Sequence, residues 1–225
     1  MVDILAQPQS VTLAHFPENG DPIALTFDEL IPEAEIAERF RAIAEYVGPL
    51  IANNPDKVIL APIMAGGSQV MDKTMAVASL DYPNMGPSIQ PLKVSRYHDT
   101  KADAQLVVEQ DFVRPADVAG KIVVFFDEVV DAGIASAWAI ERATALGALR
   151  TVFVTLVRKP EAGKVAVAPD QLVVGFDVVT DDPEPAFLLG WGMDWKNKGR
   201  WLQWIGRLRD GKKVTYSEPE LPVGL

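Results

Sequence analysis

The sequence contains no cysteine and only two histidines, His15 and His98. Disulfides, thiolate metal sites and cysteine nucleophiles are therefore excluded, and nothing suggests an oxidising compartment. The two histidines stand too far apart to suggest a ligand pair by spacing, which argues against a histidine-based metal centre. No apolar run approaches the roughly 20 residues that a helix needs to span a bilayer, and the N-terminus lacks a basic stretch followed by an apolar one. The expectation is a soluble, cytoplasmic protein without a membrane partner. Cations are also scarce, with 21 Lys and Arg against 31 Asp and Glu and a formal charge of -10. A broad basic surface is missing, so no nucleic-acid partner is expected. Any polyanionic ligand must be gripped locally, by helix N-termini, backbone amides, a few placed cations or Mg2+.

What is present is apolar sequence in ordered blocks. At 225 residues and 48% hydrophobic content the chain can bury one substantial core. Residues 1 to about 24 show little periodicity and read as an arm. From Pro32, the positions Ile36, Phe40, Ile43, Val47 and Leu50 recur at helical spacing, with Pro32 suited to a first turn. Val58 to Ala61 reads as a short buried strand running into Ala65-Gly66-Gly67, and Val70 to Leu80 as a helix. Pro91 to Tyr97 is a second strand, and His98 to Gln110 has no firm pattern and reads as a loop. The continuous apolar run Lys121 to Phe126 predicts a central parallel strand. An Ala-rich helix follows over Ala135 to Leu146, closed by Gly147, and then a buried strand over Thr151 to Val157. This order demands a parallel sheet with right-handed crossovers. Two further strands, Leu172 to Phe176 and Phe187 to Gly190, flank an acidic turn at Thr180-Asp181-Asp182-Pro183.

In an open parallel sheet, ligands bind beyond the carboxyl ends of the strands. Asp127 to Ser136 sits at such an end. Its leading carboxylates offer hard oxygens to ribose hydroxyls or Mg2+, and the turn at Gly133 aims amides and a helix N-terminus at a phosphate. Solvated acids at a strand end followed by a helix cap would look much the same from this segment alone.

The run Phe125-Phe126-Asp127-Glu128-Val129-Val130-Asp131-Ala132-Gly133 resembles the ribose-phosphate signature of the type I phosphoribosyltransferases. Flanking segments resemble the hypoxanthine-guanine branch of that family in the right order. Met64-Ala65-Gly66-Gly67 is similar to its pyrophosphate loop, Ser95-Arg96-Tyr97 to the start of its flexible loop, and Arg158-Lys159-Pro160 to its purine-contacting segment. Val174 to Phe176, Phe187 to Trp195 and Arg200 to Leu202 resemble its base-binding end.

The resemblance implies an α/β fold, a Rossmann-like parallel sheet flanked by helices with a small base-binding hood. It divides the chain into an arm (1–24), a phosphoribosyltransferase-like domain (25–210) and a tail (211–225). It implies transfer of a phosphoribosyl group from phosphoribosyl pyrophosphate to a 6-oxopurine base in purine salvage, with Mg2+ as cofactor and a homodimer or homotetramer as the assembly. Asp131 would do the acid/base work. Asp127, Glu128, Ala132, Gly133, Ile134, Ala135 and Ser136 would bind the phosphoribosyl group. Lys159, Phe187 and Leu188 would bind the base, and Ala65, Gly66 and Arg200 the pyrophosphate. Ser95 and Tyr97 would belong to the flexible loop, and Asp127, Glu128 and Asp194 would hold the metal. Plainer roles compete with these: a solvated loop residue for Lys159, a core aromatic for Phe187, a surface ion pair for Asp194 and Arg200.

The chain departs from the family pattern at Ala132 and Ala135, where hydroxyl residues are usual, at Ala65, where a cation is common, and in the order Asp127-Glu128. Two function classes follow: a salvage enzyme, or a catalytically weakened relative that binds nucleotides or regulates. A dehydrogenase is disfavoured, since no G-x-G-x-x-G follows a strand.

Overall fold

The structure, a computed structural model, describes residues 9–17, 21–97, 105–160 and 172–222. In chain order the elements are β1 (Ser10–His15), β2 (Ile23–Ile31), α1 (Glu33–Ala52), β3 (Val58–Pro62), α2 (Gly66–Ala78), β4 (Ser88–Ile89), β5 (Lys93–Tyr97) and β6 (Gln105–Gln110). A 3-10 turn at Pro115–Val118 leads to β7 (Ile122–Val130), α3 (Ile134–Ala145), β8 (Arg150–Arg158) and β9 (Leu172–Thr180). The last strands are β10 (Leu188–Leu189), β11 (Ile205–Leu208) and β12 (Val214–Ser217).

The main sheet has the order β12-β9-β8-β7-β3-β4, parallel throughout except for β12, which runs antiparallel to β9. Its central strands are apolar on both faces because helices cover both sides. Successive side chains of β7 alternate between the two cores: Val124 and Phe126 join one, Val123 and Phe125 the other. The first core is closed by α1 and α2, whose Ile36, Phe40, Ile43, Val47 and Val70 are wholly buried. The second is closed by Ala139 and Ala143 of α3 with Phe112 and Val118. Each buried Val, Ile or Phe among them contributes roughly 1.5–3 kcal/mol, and the alanines less. The α/β sheet flanked by helices matches the expectation, with one antiparallel edge added.

Four findings differ from the sequence reading. Ser10 to His15, inside the expected arm, pairs with Ile23 to Asp28 as a hairpin, and β2 continues into a four-stranded antiparallel sheet of order β1-β2-β11-β10. Long-range pairing, which no local pattern reports, creates this sheet. The expected tail contains β12, and the chain around it is tied down by buried Arg39 of α1. Its guanidinium donates to the carbonyls of Gly175 (2.6 Å) and Val174 (2.8 Å) and to that of Pro219. Gln105 to Gln110, read as loop, is a strand that pairs with β5 in a hairpin separate from both sheets, while residues 98–104 lie outside the described residues. Helix α2 starts at Gly66, four residues before its first apolar position Val70. Among the described residues, no helix is long and apolar enough to cross a membrane.

Candidate functional site

Beyond the carboxyl ends of β3 and β7 lies a cavity of about 530 Å³. It is lined by Asp127, Glu128, Asp131, Gly133, Ile134, Ala135, Ser136 and Asp194, together with Ile63, Met64, Val94, Val129 and Val130. The fold thus brings three carboxylates from β7 and the turn after it together with a fourth from a segment more than sixty residues downstream.

Strand β7 runs four residues past the apolar block, so Asp127 and Glu128 sit within the last part of its ladder, Asp127 opposite Thr155 of β8. Asp127 is buried, and its Oδ1 accepts the Glu128 amide at 3.0 Å. Burial, reinforced by the neighbouring Glu128 carboxylate, holds the Asp127 carboxyl well above the usual carboxylate range. The chain then turns through Gly133, whose φ of 74° is left-handed and suits glycine, to start α3. The first amides of that helix have no intrahelical partner and point toward the cavity end. The Ser136 hydroxyl, which could have served a ligand, donates to the Gly133 carbonyl at 3.1 Å. Ala132 lies in the turn but outside the lining.

The loop before α2 meets the strand end by close backbone approach. A Cβ on Gly67 would lie 2.2 Å from the Phe126 carbonyl oxygen, and one on Gly66 would lie 2.1 Å from the Glu128 carboxyl carbon. At Gly67 the obstacle is backbone and only glycine fits, whereas at Gly66 a side chain would displace the Glu128 carboxylate. Ala65 is the N-cap of α2 and is exposed, and the peptide joining Met64 to Ala65 is cis. A second close approach seats the segment that carries Asp194. Gly192 has φ of 98°, and a Cβ there would meet the Gly66 Cα at 2.6 Å and the Glu128 Cβ at 3.1 Å. Trp191 anchors this loop: its indole N–H donates to the Gln203 carbonyl at 2.6 Å and its ring packs on Phe40, centroids 4.9 Å apart.

Among the described residues, two cations are paired with acids of the site. Lys159 donates its amide to the Val130 carbonyl, and its Nζ stands 3.9 Å from Asp131 Oδ1. Arg200 is paired with Asp194 and also donates to the Gly192 carbonyl, while Asp194 Oδ2 accepts the Asn197 amide at 2.6 Å. The ion pair weighed for Asp194 and Arg200 on sequence grounds is present, and its carboxylate lines the cavity. Arg158 is engaged elsewhere, bidentate on Asp177 at 2.6 and 2.7 Å.

The remaining residues singled out in the sequence lie away from the cavity lining. Phe187 is 42% exposed and tilts against Phe27 with ring centroids 6.0 Å apart. Leu188 is buried in β10 opposite Arg207. Ser95 and Tyr97 lie on β5, whose Val94 does reach the cavity; the Tyr97 side chain is outside the described residues. Val94 and Gly192 carried no sequence assignment. The alternation Val94-Ser95 is a strand signal that fits half-burial of Val94, whereas the need for glycine at 192 depends on a contact with residue 66 that no local pattern reveals.

Asp127, Glu128 and Asp194 offer hard oxygens, the donor type that suits Mg2+. Among the described residues, no three acidic or imidazole side chains form a ready-made metal cluster. An ion here fits best when shared with oxygens of a bound ligand.

No protein-family model matches the chain. It is 26% identical over 204 residues to a hypoxanthine-guanine phosphoribosyltransferase of Mycobacterium avium, covering 90% of this chain and 91% of that one. It is 24% identical over 182 residues to the enzyme of the same name from Dictyostelium discoideum, covering 80% and 94%. Among solved structures, a hypoxanthine phosphoribosyltransferase of Staphylococcus aureus superposes with a TM-score of 0.67 at 20% identity, covering 80% of this chain and 90% of that one. A hypoxanthine-guanine phosphoribosyltransferase of Bacillus anthracis, with a HEPES molecule in its active site, gives 0.66 at 20% identity, covering 80% and 97%. The chain has the fold of these proteins, and its resemblance to the type I phosphoribosyltransferases of the hypoxanthine-guanine branch stands in both sequence and architecture.

Proposed function

We propose that this protein is a purine phosphoribosyltransferase that moves the 5-phosphoribosyl group from phosphoribosyl pyrophosphate to a 6-oxopurine base and releases pyrophosphate. The observation that carries the reading is the convergence of Asp127, Glu128, Asp131, the start of α3 and Asp194 on one cavity beyond the strand ends. The relatives, each named as such a transferase along nearly its whole length, support it.

The bond from the anomeric carbon to a pyrophosphate oxygen breaks as a bond to a ring nitrogen of the base forms, and the base gives up one proton. Asp131 manages that proton at N7, with Lys159 beside it. Lys159 donates to the 6-oxo group, Phe187 stacks on the ring and the Leu188 backbone reads its edge. Asp127 and Glu128 hold the ribose hydroxyls. Arg200, adjoining Gly192, and the loop at Ala65 and Gly66 meet the pyrophosphate. Asp127, Glu128 and Asp194 would hold Mg2+ together with the substrate, and the ion would then neutralise the departing negative charge. Fixing two reactants against each other adds to this stabilisation of the departing charge. Residues 25–210 form the catalytic unit, assembled as a homodimer or homotetramer.

A second reading, a weakened relative that binds nucleotides without efficient turnover, draws on the Ser136 hydroxyl being directed to Gly133 and on Ala135 lining the phosphate end. The two separate in one experiment: incubation with Mg2+, phosphoribosyl pyrophosphate and, in turn, hypoxanthine, guanine, xanthine and adenine, with nucleotide measured by chromatography. Product from a 6-oxopurine is expected. No product from any base would leave the binding reading in its place, and adenine used as well as hypoxanthine would overturn the role given to Lys159.

A further inference from the structure

Among the described residues, the four charged side chains that line the cavity, Asp127, Glu128, Asp131 and Asp194, are all carboxylates. The two cations that touch them are matched already, Lys159 with Asp131 and Arg200 with Asp194. At the end where α3 begins, the side-chain surface is the methyl of Ala135 and a serine whose hydroxyl proton is directed to the Gly133 carbonyl. What remains for a phosphate is a set of backbone amides and the helix terminus.

These contributions oppose one another. A helix N-terminus favours an anion by roughly two- to fivefold at an exposed site. A charge-assisted hydrogen bond from a hydroxyl or a cation adds roughly tenfold or more where one exists. Among the described residues the one side-chain hydroxyl lining the phosphate end, that of Ser136, is engaged by the Gly133 carbonyl, and a dianion entering the cavity is opposed by the carboxylates that share it. An uncharged hydroxymethyl group meets no such repulsion and can rest on the Ala135 methyl. The base and the ribose hydroxyls keep their partners in either case.

We infer that this pocket accepts purine nucleosides as well as nucleotides, with the 5′-phosphate adding less than about tenfold to affinity. The inference rests on the phosphoribosyltransferase reading for the direction in which the sugar lies.

The test is calorimetry on the full chain at one fixed MgCl2 concentration, with inosine and inosine 5′-monophosphate as the two probes. The dissociation constants are expected to lie within about tenfold of each other. Ala135→Thr, which restores a hydroxyl to the lining, should tighten the nucleotide by about tenfold or more and leave the nucleoside within about twofold. Ala135→Ser serves if the threonine variant does not fold. A wild-type protein that binds the nucleotide more than about tenfold tighter than the nucleoside overturns the inference. So does wild-type protein that binds neither probe. Turnover of phosphoribosyl pyrophosphate with a base is scored separately: product together with a large nucleotide preference sinks this inference alone, whereas absence of product and of both binding signals sinks the transferase reading with it.

Discussion

The two ends of the cavity use glycine for different reasons, and their electrostatics differ accordingly. At the α3 end, Gly133 supplies a left-handed turn with φ of 74°, and the surroundings are amides, the Ala135 methyl and Asp131, whose carboxylate faces the Lys159 Nζ at 3.9 Å. At the other end, Gly67 and Gly192 are there because backbones touch, with 2.6 Å between the Gly66 Cα and the site a Cβ of Gly192 would take, and Gly66 leaves room for the Glu128 carboxylate. That joint carries a matched pair, Asp194 with Arg200. One end is a conformational device that leaves ligand binding to the backbone. The other is a packing device that delivers side-chain charge to the site, so changes there disturb stability and binding together.

The largest expected effect falls at the first end. Asp131→Asn should lower turnover by about 10²–10⁴-fold, the usual worth of a positioned acid or base, while the half-exposed position leaves stability within about 0.5 kcal/mol. Steady-state rates with hypoxanthine and a denaturant titration decide it, and a loss under about tenfold would remove Asp131 from the proton's path.

At the joint, Gly192→Ala should cost roughly 1–3 kcal/mol in unfolding free energy, because both the left-handed backbone and the contact with Gly66 oppose a side chain. It should also raise KM for phosphoribosyl pyrophosphate, since Asp194 follows two residues on. An unchanged urea midpoint would show that the two ends are not built differently after all.

Lys159→Ala probes the border between the ends. Its expected result is a fall of about tenfold in kcat/KM for hypoxanthine and loss of the discrimination against adenine, with the melting temperature little changed. Preserved discrimination would move base recognition to Phe187 and Leu188, which lie outside the cavity lining.

The smallest effect concerns Asp127 and has a sign set by linkage. Burial and Glu128 raise its carboxyl in the folded protein. A raised acid favours the fold fully below its unfolded value, about 3.9, and that contribution is lost as pH rises toward the folded value. Asp127→Asn keeps the oxygen that accepts the Glu128 amide and removes the titration. It should therefore be more stable than wild type at pH 8, with the advantage shrinking toward pH 4, as read from urea midpoints. An advantage that grows toward low pH would contradict the burial argument.

How much of this was legible follows from where each signal resides. The parallel strands announced themselves, since Ile122 to Phe126 and Thr151 to Val157 are apolar on both faces and need no partner to be recognised. The carboxylates of β7 and the α3 turn were legible for the same reason, being contiguous with such a strand. The small sheet was not: Ser10 to His15 is half polar, β10 is two residues long, and each is defined only by a distant partner. The C-terminal strand was hidden likewise, because part of what holds it is Arg39, more than 170 residues earlier. The pairing of Asp194 with Arg200 could be anticipated from their spacing, but its delivery to the cavity depends on the contact of Gly192 with Gly66.

The central claim is that four carboxylates and a helix start at the strand ends perform phosphoribosyl transfer. It is tested most directly by measuring nucleotide and pyrophosphate together from wild-type protein, phosphoribosyl pyrophosphate and hypoxanthine, with and without Mg2+. The account predicts the two products in equal amounts, formed only with the metal present. Unchanged substrates under both conditions, or pyrophosphate released without nucleotide, would contradict it.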